Sequence, residues 1–135
     1  MGHSKNKIII LIMFGGFIGS ILRYTFGEWL QNTNGFPVGT LFVNMVGCFL
    51  LGWFITYGVA KFKRNSIWVP FIGTGVIGSF TTFSTFSLET FYLIMDKQYI
   101  QVITYVMVSV IVGLFFTFLG YKLAYKKINK EGQPI

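Results

Sequence analysis

The chain has 135 residues, 53% of them hydrophobic and 11% charged, with mean hydropathy +0.65 and a formal net charge of +7. A soluble domain of this size cannot hide so much apolar surface, so the composition excludes that class and indicates an all-α integral membrane protein. The positive charge does not indicate a nucleic-acid binder, because the basic residues flank apolar spans instead of covering a soluble module.

Four spans follow in chain order, at about residues 8–30, 38–60, 67–95 and 99–121, each long enough for the roughly 20 residues a bilayer crossing needs. Lys5 and Lys7 ahead of the first apolar run raise the possibility of a signal peptide. No small-x-small cleavage site follows and the chain stays apolar to its end, so the run reads as a span. The connections, 31–37, 61–66 and 96–98, are short, and the polar tail 122–135 is expected to fray. Residues 1–135 thus read as a single four-span membrane domain, with the multi-pass chain placed in the cell membrane. Four helices enclose little space alone, so a pathway through this protein calls for an oligomer.

With an even number of spans, both termini and the second connection share one side. That side holds Lys5, Lys7, Lys61, Lys63, Arg64, Lys122, Lys126, Lys127 and Lys130, and the other holds Arg23 and Lys97. Nine basic residues against two place both termini in the cytoplasm.

The first span carries Gly15 and Gly19, a GxxxG, with Gly16 and Ser20 repeating the spacing. Small residues four apart let helix backbones approach closely. Arg23 lies beyond this face, either reaching the interface or attracting anions to a vestibule. In the second span Thr40, Asn44, Gly47 and Cys48 share one helical face. An amide deep in a span must find partners: Asn44 either bonds another helix or lines a path, where its NH2 can replace water around an anion. Cys48 reads as a small core residue, and His3 as a solvated tail residue with no second metal ligand nearby. In the fourth span Tyr105, Ser109, Gly113, Thr117 and Tyr121 recur every four residues, a stripe that fits a helix contact or a pathway wall equally well.

The third span is the hardest to explain by packing. Residues 73–87 hold three glycines, seven hydroxyl side chains and three phenylalanines, with no charge. Gly73, Gly75 and Gly78 lower helix propensity. Thr81, Thr82, Ser84, Thr85 and Ser87 can re-satisfy backbone groups freed by a break, and a broken membrane helix turns carbonyl oxygens toward a cation. Phe80, Phe83 and Phe86, three apart, drift slowly around one side, and their positive ring edges suit an anion. Glu28 and Glu89 lie toward span ends, so no span has a central carboxylate. No nucleophile–base pair exists, and enzyme activity is not expected.

Together these pieces resemble the Fluc (CrcB) family of fluoride channels. The matching segments are residues 15–24 (GGFIGSILRY), 39–44 (GTLFVN) and 73–86 (GTGVIGSFTTFSTF), with a looser match through Tyr105 and Ser109. The resemblance implies a passive channel through which fluoride, trapped in the cytoplasm after HF dissociates there, leaves the cell. It implies an antiparallel, dual-topology dimer with paired pores and a broken third helix. It also implies a pore formed by Asn44, Phe83, Phe86, Tyr105, Ser109 and Thr40, with Arg23 near its mouth and Glu89 toward its end. A structural Na+ is implied at the dimer interface, held by the backbone carbonyls of Gly78 and Thr81. Weak, multiple donors suit conduction, since a fixed cation deep inside would hold fluoride too tightly.

The rival reading is a small dual-topology multidrug exporter, which expects a deep carboxylate where this chain has Gly15, Gly16 and Gly19. A scaffold without transport leaves Asn44 and the phenylalanine row without a purpose. The charge bias departs from the simple family picture, because a chain that inserts both ways should show little bias. The chain therefore either pairs with an oppositely oriented relative or inserts both ways despite its charges.

Overall fold

A computed structural model describes residues 2–30, 35–62 and 66–131. Lys63, Arg64 and the side chain of His3, all read above, lie outside the described residues. The fold is four long helices: α1 (Gly2–Trp29), α2 (Val38–Phe62), α3 (Trp68–Met95) and α4 (Tyr99–Glu131), each apolar enough to cross a membrane. Most of their large apolar side chains face outward, including Ile9, Phe14, Ile55, Ile103 and Phe118, as lipid-facing helices require.

Glycines set which helices touch. A Cβ at Gly15 would come within 2.7 Å of the Phe71 carbonyl oxygen, and one at Gly19 would overlap the Val76 carbonyl. The two contacts advance together along both chains, so α1 and α3 run parallel and back to back. Gly52 and Gly120 bring α2 and α4 equally close, against Thr117 and Phe49 respectively. The antiparallel contact of α1 with α2 is sealed where Gly39 abuts Gly27. The GxxxG of the first span thus serves close approach, to α3 specifically.

Two segments widen into π-helix, Phe54–Gly58 in α2 and Phe71–Ile77 in α3. They meet: the Phe54 ring lies over Gly58 and against Gly73. Pro70 is tolerated because it falls in the first turn of α3, where no intrahelical amide is needed.

Helix α3 breaks after Phe80. Thr81 is extended (φ −78°, ψ 157°), and regular helix resumes at Ser84. The three-residue turn to α4 closes with Lys97 at φ 58°. The Gln98 amide donates to Leu93 O at 2.9 Å and the Lys97 amide to Ile94 O at 3.0 Å, which is the Schellman pattern.

Over 122–131 the structure corrects the expectation of a fraying tail, because α4 continues unbroken to Glu131; 132–135 lie outside the described residues. Ala124 and Ile128, four apart and fully buried, pack with Tyr57 and Trp53 of α2. The Tyr57 hydroxyl donates to Glu131 at 3.1 Å and accepts from Lys61 Nζ at 3.1 Å. Two buried residues at helical spacing, Ala124 and Ile128, hold a segment that is otherwise exposed and mostly polar.

Candidate functional site

The break in α3 is where the polar residues converge. Asn44 on α2 spends both ends of its amide there: Nδ2 donates to the Thr82 carbonyl at 2.9 Å, and Oδ1 accepts the Thr82 amide at 2.8 Å. The interhelical bond is therefore made. One Nδ2 hydrogen keeps no partner among the described residues, so the same side chain can still donate.

Thr82 restarts the helix. Its hydroxyl accepts the Thr85 amide at 3.1 Å, the work of an N-terminal cap, and lies 3.0 Å from the Thr85 hydroxyl. These bonds have a consequence for the carbonyls upstream. In an unbroken helix the Thr82 amide would bond Gly78 O and the Thr85 amide would bond Thr81 O. Both amides are diverted, so both carbonyl oxygens leave the helical ladder. Gly78 O is met by the Thr81 hydroxyl at 3.2 Å.

Above the break, Glu89 is gripped from two helices. Thr40 Oγ1 donates to one carboxylate oxygen and the Tyr105 hydroxyl to the other, each at 2.7 Å. Tyr105 is fully buried. Its ring lies between Phe86, at 4.9 Å, and the edge-on Phe36, at 5.6 Å.

These groups open into a cleft of about 470 Å³ at the end opposite the chain termini, with Arg23, Thr40, Thr82, Thr85 and Glu89 in its walls. Glu28 and Asp96 also line it, so three of the chain's four acidic residues face one space with one arginine. The structure thus gathers Arg23, Thr40 and Glu89 in the cleft wall, with Tyr105 buried behind Glu89 and Asn44 bonded to Thr82, itself in the wall. Ser109 stands one turn along α4 from Tyr105, half-buried, with no hydrogen bond among the described residues.

The phenylalanine row is not one row. Because residues 81–83 are not helical, Phe80 turns into the core, edge-on to Phe26 at 6.5 Å. Phe83 and Phe86 stay together at 5.9 Å, and Phe83 is 79% exposed. The stripe on α4 also divides. Steps of four residues drift about 40° each on a helix of 3.6 residues per turn. Tyr105 accordingly reaches Glu89, Gly113 packs on Met45 and Cys48, and Tyr121 has rotated outward.

Two features were not foreseen: Thr82 as the specific partner of Asn44, and the Tyr57–Glu131 contact. The first had a signal in the adjacent hydroxyls of 81–85. Among the described residues no group of three or more His, Cys, Asp or Glu side chains could hold a metal ion.

Fold and site together define a small multi-pass membrane protein with a polar line running from a cleft to a broken helix. The family model described as CrcB-like protein, Camphor Resistance (CrcB), matches residues 10–121. The chain is 47% identical to a protein of Oceanobacillus iheyensis named fluoride-specific ion channel FluC, over 86% of this chain and 90% of the relative. It is 42% identical to the FluC of Aquifex aeolicus, over 86% and 95% of the two chains. It is also 42% identical to a FluC 1 of Bacillus cereus, over 94% of each. This chain belongs to the CrcB-like family.

Proposed function

We propose that this chain is a subunit of a fluoride-selective channel of the cell membrane, through which cytoplasmic fluoride leaves passively and its toxicity falls. The observation that carries the reading is the Asn44–Thr82 clamp, which holds α3 broken beside Phe83 and Phe86 inside a membrane span. Relatives over nearly the whole chain bear the name fluoride-specific ion channel. The multidrug-exporter reading has no such support.

Fluoride holds its water tightly, so a pore must replace that shell with donors that do not trap the ion. The free Asn44 hydrogen, the Ser109 hydroxyl and the edges of Phe83 and Phe86 are the groups proposed to do so, with Thr40 and Tyr105 continuing the track. Arg23 and Glu89 stand at the vestibule end. Efflux from liposomes holding the purified protein, followed with a fluoride electrode and compared with chloride, tests this. Equal flux of the two anions rejects selectivity.

The finer assembly proposed is an antiparallel dimer with a pair of pores. The outward Phe83 and the exposed Gly78 support it, since both sit on the unpartnered side of the α3 break. The partner is a second copy or a related chain of opposite orientation. A C-terminal tag on live cells separates these: detection on one side alone indicates an oppositely oriented partner chain, and equal detection on both sides removes fixed orientation.

A Na+ at the dimer axis is proposed on the Gly78 and Thr81 carbonyls. Their release from the helical ladder fits a hard cation, which takes oxygen ligands. When bound, such an ion makes the local field more favourable to anions. Fluoride flux unchanged after exhaustive exchange of Na+ for N-methylglucamine would remove it from the account.

A further inference from the structure

The end of the molecule away from the cleft carries a feature that ion conduction does not use. Helix α4 has 33 residues, a length of about 50 Å at about 1.5 Å per residue. A bilayer core is about 30 Å thick, so about 13 residues of α4 lie outside it. The uncharged stretch ends at Tyr121, and Lys122, Lys126, Lys127 and Lys130 follow. The basic segment therefore begins where hydrocarbon gives way to headgroups.

The segment is built, because Ala124 and Ile128 are fully buried on Tyr57 and Trp53. That anchor sorts the lysines. Lys127 turns inward, 4.6 Å from the Tyr57 ring centroid and 5.9 Å from that of Trp53. Lys122 and Lys126 point outward and are exposed, on either side of the exposed Leu123 and Tyr125. One turn apart, Lys122 and Lys126 are staggered along the helix axis by about 6 Å, which matches a headgroup layer about 5–7 Å deep. Phe118 and Tyr121, exposed on the hydrocarbon side of Lys122, offer apolar surface at the level of the upper acyl chain. The single carboxylate of the segment, Glu131, is already engaged by Tyr57.

We infer that the outward face of α4 at Lys122 and Lys126 is a binding site for one anionic phospholipid of the leaflet on the lysine-rich side, its phosphate held by the two ammonium groups. Charge complementarity selects the lipid class, and the apolar surface selects a lipid over a soluble phosphate. Each lysine near such a surface is worth about 1 kcal/mol, or about fivefold in affinity, so the pair gives about 25-fold.

The test is native mass spectrometry of the full chain released from nanodiscs of equal phosphatidylglycerol and phosphatidylcholine. Wild-type protein should retain phosphatidylglycerol preferentially, and K122Q/K126Q should lose about 25-fold of that preference while K97Q, at the other face, keeps it. Equal retention of the two lipids by the wild type overturns the site, as does full retention by K122Q/K126Q. Displacement of the lipid by millimolar inorganic phosphate also overturns it, in favour of a soluble-anion site. Should the double variant not fold, the wild-type preference must still weaken steeply between 50 and 500 mM salt, and a salt-independent preference overturns the inference. None of these outcomes depends on fluoride flux, so the site and the channel reading stand or fall separately.

Discussion

Asn44 and Thr82, 38 residues apart in sequence, exchange two hydrogen bonds at 2.8 and 2.9 Å across helices α2 and α3. This pair both breaks α3 and satisfies the break. The Thr82 amide and carbonyl, which lipid cannot satisfy, are answered by one side chain. Everything proposed about the pathway depends on that clamp, because it sets where Phe83 emerges and which carbonyls are released.

Asn44→Asp tests the clamp directly. A carboxylate can accept the Thr82 amide but cannot donate to its carbonyl, and it removes the remaining free donor. A buried carbonyl left without a donor costs about 1–3 kcal/mol, and a negative charge beside it opposes an anion as well. Fluoride flux should fall by about tenfold or more, since about 1.4 kcal/mol is tenfold. Size-exclusion chromatography should show the same assembly as the wild type. Normal flux in this variant removes Asn44 from the pore.

Phe83→Ile separates ring electrostatics from bulk. Isoleucine is apolar and fills part of the space, but it has no positive ring edge to offer an anion. Phe83 is 79% exposed and meets chiefly Phe86, so the subunit itself should tolerate the change. Reduced fluoride flux with the wild-type elution volume on size exclusion is the expected result. Unchanged flux means that its edge does not face the ion.

Gly19→Ala and Gly27→Ala make a matched pair. A Cβ at Gly19 collides with the Val76 backbone, whereas one at Gly27 meets nothing within 4 Å. Overpacking costs about 1–3 kcal/mol, while an unhindered Gly→Ala in a helix gains about 0.5–1 kcal/mol. Thermal unfolding in detergent should drop for Gly19→Ala and hold or rise for Gly27→Ala. The reverse order would show that α1 and α3 do not meet as described.

Much of this architecture was legible in the sequence, and the residues show why. Span length and hydropathy are properties of single segments, so the four helices could be read directly. The run of glycines and hydroxyls likewise announced a break, since both weaken the helix locally. Pairing was less legible. Nothing near Asn44 says that its partner is a backbone 38 residues away. The i, i+3 spacing of Phe80 and Phe83 assumes a continuous helix, and the break sends them to opposite sides. The tail misled because its six polar residues between Lys122 and Glu131 outweigh Ala124 and Ile128 in any average, yet two buried residues decide the packing.

Lys97 occupies the left-handed position of a Schellman turn at φ 58°, where glycine is the unstrained choice. Lys97→Gly should stabilise the folded chain by about 1 kcal/mol through relief of that strain. The gain should appear as a higher unfolding temperature in detergent with unchanged flux. A loss of stability would mean that the Lys97 side chain makes contacts that outweigh the backbone cost.

Ile128→Ala probes the segment that the sequence pattern undervalued. Ile128 is 1% exposed and packs with Ala124 and Tyr57. Truncating a buried isoleucine costs about 2–5 kcal/mol where the site cannot collapse. Near the end of α4 the last turns can instead detach, so the effect should be local. Hydrogen exchange should rise in 122–131 and stay unchanged around the Asn44–Thr82 clamp, which lies more than three turns back along α2 from Tyr57 and is closed by α3. Tyr57 would then lose its contact with Glu131, and Lys61 Nζ would gain freedom from the Tyr57 hydroxyl. Exchange that rises throughout the chain would mean that the α2–α4 contact at this end supports the whole fold and is not a local strut.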